Sequence, residues 1–270
     1  GKSTLAYHII TYILSQDEDH KYDAQHNTIN NLNRSFRLVQ NNSHTNFYLI
    51  DLLEEKKNID IGQIRETIAY THKSSFNNKQ RIILIDNVEY LNKNAINALL
   101  KVIEEPNQNI HFILIHNNEK KILPTLKSRC LTFKINLKFN ETIKTVNSIL
   151  GNDIFELINH SLINLYSTPG EFINLINFSK EKKIDLTSYS INEFLNLLID
   201  NGYYKKNRHI KKLLISFIQL YFLKEYNLTN SKNLLIRMYQ NFIQKINDTE
   251  KYNLDEESLF LEFKSNMLNG

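Results

Sequence analysis

Two stretches far apart in the sequence carry side chains suited to handling phosphate. The chain opens Gly1-Lys2-Ser3-Thr4, directly ahead of a helical apolar pattern through Leu5, Ile9, Tyr12 and Ile13. G-K-[ST] at a helix start is the second half of a P-loop, in which backbone N–H groups cradle phosphates, the lysine reaches the β and γ phosphates and the hydroxyl holds Mg²⁺. The first half of that loop and the strand before it are not in the sequence, and G-K-S before a helix also arises by chance. A phosphate reading therefore needs a second group, an acid at a strand end that completes the Mg²⁺ site. Asp86 supplies one. The uninterrupted run Ile82-Ile83-Leu84-Ile85 ends on it, as expected of a strand covered on both faces, and the C-terminal edge of such strands is where open α/β sheets bind ligands. On this reading Gly1, Lys2, Ser3 and Thr4 hold ATP or ADP, Ser3 and Asp86 share the Mg²⁺, and the chain is expected to be a piece of a longer protein.

The elements that would position these groups follow from periodicity. A short strand is expected over Asn46 to Leu52. An amphipathic helix follows, made by Ile61, Ile64, Ile68 and Tyr70 with Arg65 and with Asp60 as N-cap. Between Asn94 and Glu105 the apolar residues Ala95, Leu99, Val102 and Ile103 recur at helical spacing, and Pro106 forbids continuation. A second strand is expected at His111 to Ile115 and a strand-like run at Leu131 to Ile135, with Cys130 before it as a small packing residue. Residues 16–46 are polar and aperiodic and read as loop. His20, His26 and His44 fall there, match no metal template and are expected to face solvent. The turn Glu54-Glu55-Lys56-Lys57 reads as a solvated face. Beyond Leu137 period-2 runs vanish: two or three short helices over 140–182 enclose the turn Tyr166-Ser167-Thr168-Pro169-Gly170-Glu171, and long amphipathic helices fill Asn192 to Leu268. Their stripe of Ile210, Leu213, Leu214, Phe217, Ile218 and Tyr221 reads as core, and the cluster Lys205, Lys206, Arg208, Lys211 and Lys212 as a solvated face.

Composition narrows the classes. A formal charge of +4 with a pI near 8.8 permits a nucleic-acid partner without demanding one. A single cysteine excludes an intrachain disulfide and a cysteine-rich zinc module. There is no apolar run of bilayer length and no signal-peptide pattern, so no membrane association is expected and a reducing cytoplasm fits.

The run N-A-L-L-K-V-I-E-E-P, Asn97 to Pro106, followed by Ser128-Arg129-Cys130, resembles the bacterial DNA polymerase III clamp loader, an AAA+ assembly, and within it the delta-prime type of subunit rather than the gamma/tau motor. The resemblance implies an α/β fold: an AAA+ P-loop parallel sheet flanked by helices over 1–137, a small helical lid over 138–185 and an all-α collar over 186–270 that packs against sister subunits. It departs from many ATPase-type relatives in lacking a four-cysteine zinc insert. In an active AAA+ ATPase the Mg²⁺-site Asp is followed by a Glu that positions the attacking water; here Asn87 follows Asp86. Glu89 is expected to face elsewhere and not to substitute. In motor subunits a lid arginine reaches the γ-phosphate; Gly170 stands at that position. Asn117, in the loop after the second strand, is a candidate polar sensor. The S-R-C motif is intact, and the resemblance makes Arg129, with Ser128 before it, an arginine finger completing a neighbour's ATP site. The family also points the helix after Asp60 at primer-template DNA, which makes Gln63, Arg65 and Lys73 candidate DNA contacts. The resulting expectation is a largely non-hydrolysing accessory subunit working with gamma/tau and delta-type subunits, the sliding clamp and DNA at the replication fork, in the cytoplasm near the nucleoid. An active gamma/tau-type ATPase is the first rival. A P-loop nucleotide kinase, which would need an acceptor pocket and lid arginines not found here, is the second.

Overall fold

The computed structural model describes residues 1–270 except 54–55, 74–78, 118–119, 206, 253 and 269–270, and leaves the side chains of Arg208 and Glu250 aside. Two compact units emerge, Gly1–Ile135 and Asn136–Gly270.

The first unit is built on three parallel strands, β1 (Phe47–Ile50), β2 (Arg81–Ile85) and β3 (Ile110–Leu114), lying side by side in that order. Parallel neighbours need crossovers. These are supplied by α3 (Ile61–His72) between β1 and β2 and α4 (Lys93–Glu104) between β2 and β3, while α1 (Lys2–Leu14) and α2 (Arg34–Gln40) precede β1 and the short α5 (Pro124–Lys127) follows β3. Ile82, Ile83, Leu84 and Ile85 have no exposed surface, and the two-residue period of the strand divides them between layers. Ile83 and Ile85 pack with Ile64 of α3 and Ala95 and Leu99 of α4; Ile82 and Leu84 pack with Ala6 and Ile10 of α1 and Val39 of α2. The sheet is therefore covered on both faces.

Local chemistry fixes the helix ends. Asp60 accepts from the Gln63 N–H while the Gln63 side chain returns to the Asp60 N–H, a capping box that starts α3. At the other end of α3 the buried Arg81 donates to the carbonyls of Tyr70 (3.0 Å), Lys73 (2.8 Å) and Thr71 (3.1 Å), and its guanidinium lies 5.4 Å from the Tyr70 ring centre. A cation here satisfies carbonyls that the helix leaves unpaired and complements its dipole. Asn92 caps α4 through the Ala95 N–H, and that helix stops before Pro106 as the sequence requires.

Several expectations need correction. Residues 16–46 are not all loop: α2 forms there, its N-cap Asn33 accepting from the Phe36 N–H and the Glu18 carboxylate accepting from the Arg34 and Ser35 N–H groups at 2.9 and 3.0 Å, an anion on a helix N-terminus. His20 and His26 are exposed, but His44 is half-buried. Its Nδ1 accepts from the Asn46 N–H at 3.0 Å and its Nε2 lies 3.2 Å from the Ser35 hydroxyl, which fixes a neutral ring, and burial above all holds its pKa below the usual 6.5. Strand β1 is shorter than the run Asn46 to Leu52. Leu131 to Ile135 pair with no described strand: Leu131 and Phe133 are 89% and 81% exposed, because an apolar alternation becomes a strand only beside a partner. Of the charged turn, Glu54 and Glu55 lie outside the described residues, and Lys56 pairs with Asp60 at 2.6 Å.

The second unit is helical: α6 (Phe139–Leu150), α7 (Ile154–Leu157), α8 (Pro169–Lys182), α9 (Ile191–Asp200), α10 (Arg208–Leu228), α11 (Lys232–Tyr252) and α12 (Glu256–Phe263). The segments 138–185 and 186–270 share one buried cluster, which runs from Ile143 through Phe172, Phe194 and Phe217 to Phe263. Capping boxes start α8 at Thr168 and α9 at Ser190. Lys205 pairs with Glu257 at 2.7 Å and Lys211 with Glu256, so the first turn of α12 neutralises part of the basic cluster; Lys206 lies outside the described residues. Among the described residues no helix is long and apolar enough to cross a membrane.

Two outcomes follow. Arg81→Leu should lower unfolding free energy by about 2–4 kcal/mol in a denaturant titration, since a charged donor to three carbonyls is lost and part of that loss is regained by hydration. Because the folded chain holds His44 neutral, the stability this group contributes is present above its unfolded pKa and lost as pH falls through the lower folded value. The unfolding midpoint should therefore drop as pH is taken below 6.5, and His44→Gln should flatten that part of the profile.

Candidate nucleotide site

The fold gathers the sequence-predicted groups at the C-terminal edge of the sheet. Helix α1 is anchored by Ala6 and Ile10 against β2, which sets its first turn beside the end of that strand. There Ser3 Oγ donates to Asp86 Oδ2 at 2.8 Å and Lys2 Nζ donates to Asn117 Oδ1 at 3.3 Å. Gly1 is the N-cap and provides no side-chain cap, and the first turn of α1 carries no acid. The N–H groups of Lys2, Ser3 and Thr4 are thus at a helix N-terminus with its partial positive charge, and a β-carbon built on Gly1 meets nothing within 4 Å. Lys2, Ser3, Asp86 and Asn117 converge although the sequence separates them widely.

Two further acids belong to this edge and were not among the expected site residues. Register pairs Ile50 with Ile85, so Asp51 and Asp86 stand side by side as the residues that follow β1 and β2. The signal was present: Y-L-I-D at 48–51 repeats the pattern I-L-I-D at 83–86. Asn87 joins them. Its backbone is left-handed, at φ 57°, its N–H donates to Asp86 Oδ1 at 2.8 Å, its Nδ2 donates to Asp51 Oδ1 at 2.8 Å, and its Oδ1 accepts from Asn117 Nδ2 at 3.1 Å. Both ends of the amide are occupied. The second acid is Glu89, which is buried; its Oε1 accepts from the Asn117 N–H at 3.0 Å and its Oε2 has no hydrogen-bond partner among the described residues. Glu89 therefore holds the loop that carries Asn117. The negative potential of the edge is visible at Tyr7, whose pKa is raised by burial first and then by Asp86 and Asp51.

A hydroxyl beside a strand-end carboxylate is a hard oxygen pair of the kind Mg²⁺ takes, the remaining positions going to water and phosphate oxygens. With the helix N-terminus and Lys2 for phosphate, the residues present fit a magnesium nucleotide.

Arg129 follows α5 on an exposed turn; its Nε and Nη2 engage Glu104, the last residue of α4, and its Nη1 donates to the Thr125 carbonyl at 2.9 Å. Ser128 Oγ donates to the same carbonyl at 3.0 Å, so this hydroxyl closes a turn. Cys130 packs against the core beside the sheet, and burial raises its thiol pKa. Gln63 is committed to its capping box and to the Asp51 carbonyl at 3.1 Å. Arg65 is exposed on α3, while Lys73 is the C-cap of that helix, about 15 Å from Gln63 by helical rise; the three are not presented by one helix end. Gly170 lies in the first turn of α8 in the second unit.

The chain is 34% identical over 164 residues to the DNA polymerase III subunit gamma of Buchnera aphidicola subsp. Schizaphis graminum, covering 60% of this chain and 39% of that one. It is 30% identical over 98 residues to the subunit delta' of Pseudomonas aeruginosa (36% and 30%) and 30% identical over 159 residues to the subunit delta' of Buchnera aphidicola subsp. Baizongia pistaciae (53% and 44%). It thus spans less than half the length of each of these three relatives. A gamma subunit-related protein from Thermotoga maritima aligns over 82% of both chains at 20% identity with a TM-score of 0.48. The family described as DNA polymerase III, delta subunit, matches residues 1–138. With its three-stranded parallel sheet between helices the chain has an α/β fold, and it belongs to this DNA polymerase III clamp-loader family.

Proposed function

We propose that this chain serves the DNA polymerase III clamp loader as a delta-prime-type stator: it holds a nucleotide without hydrolysing it efficiently and lends Arg129 to the ATP site of a neighbouring subunit. The observation that carries the reading is Asn87. At the position next to the Mg²⁺-site acid stands an amide, which takes no proton at neutral pH, and both its ends are tied down by Asp51 and Asn117. Glu89, the nearest alternative in sequence, is turned to the Asn117 backbone. Water at a bound γ-phosphate would find no general base in either of them.

Binding is a separate matter from turnover. The N-terminus of α1 and Lys2 would hold the phosphates, Ser3 and Asp86 the Mg²⁺, and Asn117, which accepts from Lys2 at 3.3 Å, would contact the terminal phosphate. The bound ion would screen phosphate charge. Arg129 supports the stator half of the reading by its exposure and intact S-R-C setting; a guanidinium from a neighbour stabilises charge on a transferring phosphoryl group. Its site partners would be gamma/tau and delta-type subunits, with the sliding clamp and primer-template DNA met through the assembly, Arg65 being an exposed basic candidate on α3. Work at a replication fork would place it in the cytoplasm, at the nucleoid. The rival reading, an active gamma-type ATPase, is favoured by the 34% identity to a gamma subunit.

The two readings separate in an assay of the full chain. Mg-ATP should bind, and Lys2→Ala should weaken binding about tenfold or more, the loss of a charged hydrogen bond to phosphate, while steady-state hydrolysis stays at background. Turnover that survives repurification and vanishes in Lys2→Ala would establish the gamma-type reading. In the reconstituted complex, Arg129→Ala should leave this subunit folded and assembled, since an exposed arginine adds little stability, and should slow DNA-stimulated hydrolysis by one neighbour. Arg129→Lys should be nearly as damaging, because lysine lacks the planar fork. Wild-type hydrolysis in both variants would make Arg129 an ordinary surface residue.

A further inference from the structure

We infer that Glu104 is a positioning residue that holds the Arg129 guanidinium so that one edge remains open to a pair of anionic oxygens on a partner; this rests on the finger reading above. An arginine has five N–H donors in a planar fork. Among the described contacts, Nε–H donates to Glu104 Oε1, beside which Nη2 also lies as an ion pair, and one Nη1–H donates to the Thr125 carbonyl. Each terminal nitrogen carries two N–H groups and so keeps at least one outside these contacts. Unused N–H groups on both terminal nitrogens are what a guanidinium needs to meet two oxygens of a phosphoryl group at once. An arginine on an exposed turn would otherwise sample many rotamers, and the cost of fixing them would fall on complex formation. Here the side chain is fixed beforehand by its own subunit.

The placement of Glu104 is itself unusual. It ends α4, where the helix dipole disfavours a carboxylate, and its side chain is about half exposed. Such a carboxylate contributes little to stability as a surface ion pair, so its contact with Arg129 is better explained by what it does to Arg129. Glu104 also sets a limit: its charge draws the guanidinium back to its own subunit, so it fixes the direction of the fork while the open edge makes the new contact.

The test is a mutant cycle on the reconstituted clamp-loader complex, with DNA-stimulated ATP hydrolysis, KM for ATP and subunit co-elution as readouts. Glu104→Ala should lower kcat about tenfold with KM and co-elution little changed, and the double variant Glu104→Ala/Arg129→Ala should be no slower than Arg129→Ala alone. Glu104→Gln, which keeps an oxygen acceptor for Nε–H without the charge, should retain more activity than Glu104→Ala and guards against misfolding of the latter. Wild-type kcat in both Glu104 variants would overturn the inference while leaving the finger reading intact. So would losses that multiply in the double variant, because Glu104 would then act independently of Arg129. An Arg129→Ala complex with full activity would overturn the finger reading and this inference together.

Discussion

Strand β2 is the constraint on which the first unit depends. Four consecutive residues, Ile82 to Ile85, are wholly buried, and alternate members belong to opposite layers, so a slip of one residue would send each isoleucine into the wrong layer. Burying this run from both sides requires helices on both faces, and α1 and α2 supply one layer while α3 and α4 supply the other. The same register sets the chemistry. With Ile50 opposite Ile85, and Ile85 opposite Leu114, the chain leaves all three strands at one edge, and Asp51, Asp86 and Asn117 meet there.

How much of this was legible depended on whether a residue's role was local. The apolar run ending at Asp86, the capping of α3 by Asp60 and the stop at Pro106 are decided by neighbours within a few positions, and each stands in the structure as the sequence implies. The convergence of Lys2, Ser3, Asp86 and Asn117 was legible from motif chemistry. Asp51 was hidden although its sequence pattern repeats that of Asp86, because strand pairing, which no local pattern reveals, is what makes the two neighbours. The α2 region was missed for a similar reason: its start is stabilised by Glu18, well upstream, and its short apolar content gives little period. His44 looked like a loop histidine because its partners, Ser35 and the Asn46 backbone, matter only once α2 has formed. Leu131 to Ile135 failed in the other direction, since local alternation was right for a strand and no described strand lies beside it.

Asn87 carries two explanations at once. Its backbone sits at φ 57°, in the left-handed region that asparagine tolerates better than most residues, and its amide bridges Asp51 to Asn117. The first is a demand of the turn that takes the chain from β2 into the 3₁₀ turn Val88–Tyr90; the second is a demand of the edge, where a donor toward Asp51 and an acceptor toward Asn117 are both needed. A glutamate would meet the acceptor role alone and add a third negative charge beside Asp51 and Asp86. Asn87 is therefore the residue that lets two carboxylates and an amide pack at close quarters.

Helix α4 ties the two chemically distinct places of the first unit together. It starts at the Asn92 cap, shortly after the turn that follows Asp86, and ends at Glu104, which engages Arg129. Its twelve residues rise about 18 Å, and Ala95, Ile96 and Leu99 bury one face of it in the sheet-side core. A helix packed in this way moves with the sheet or not at all, because sliding it would open voids along a close-packed face. The separation between the strand-end acid and the guanidinium fork is thus set by a rigid rod, and the guanidinium is referenced to the sheet through Glu104. Glu104, which in the sequence marks only where a helix stops, is in the fold the joint between that rod and the turn carrying Arg129.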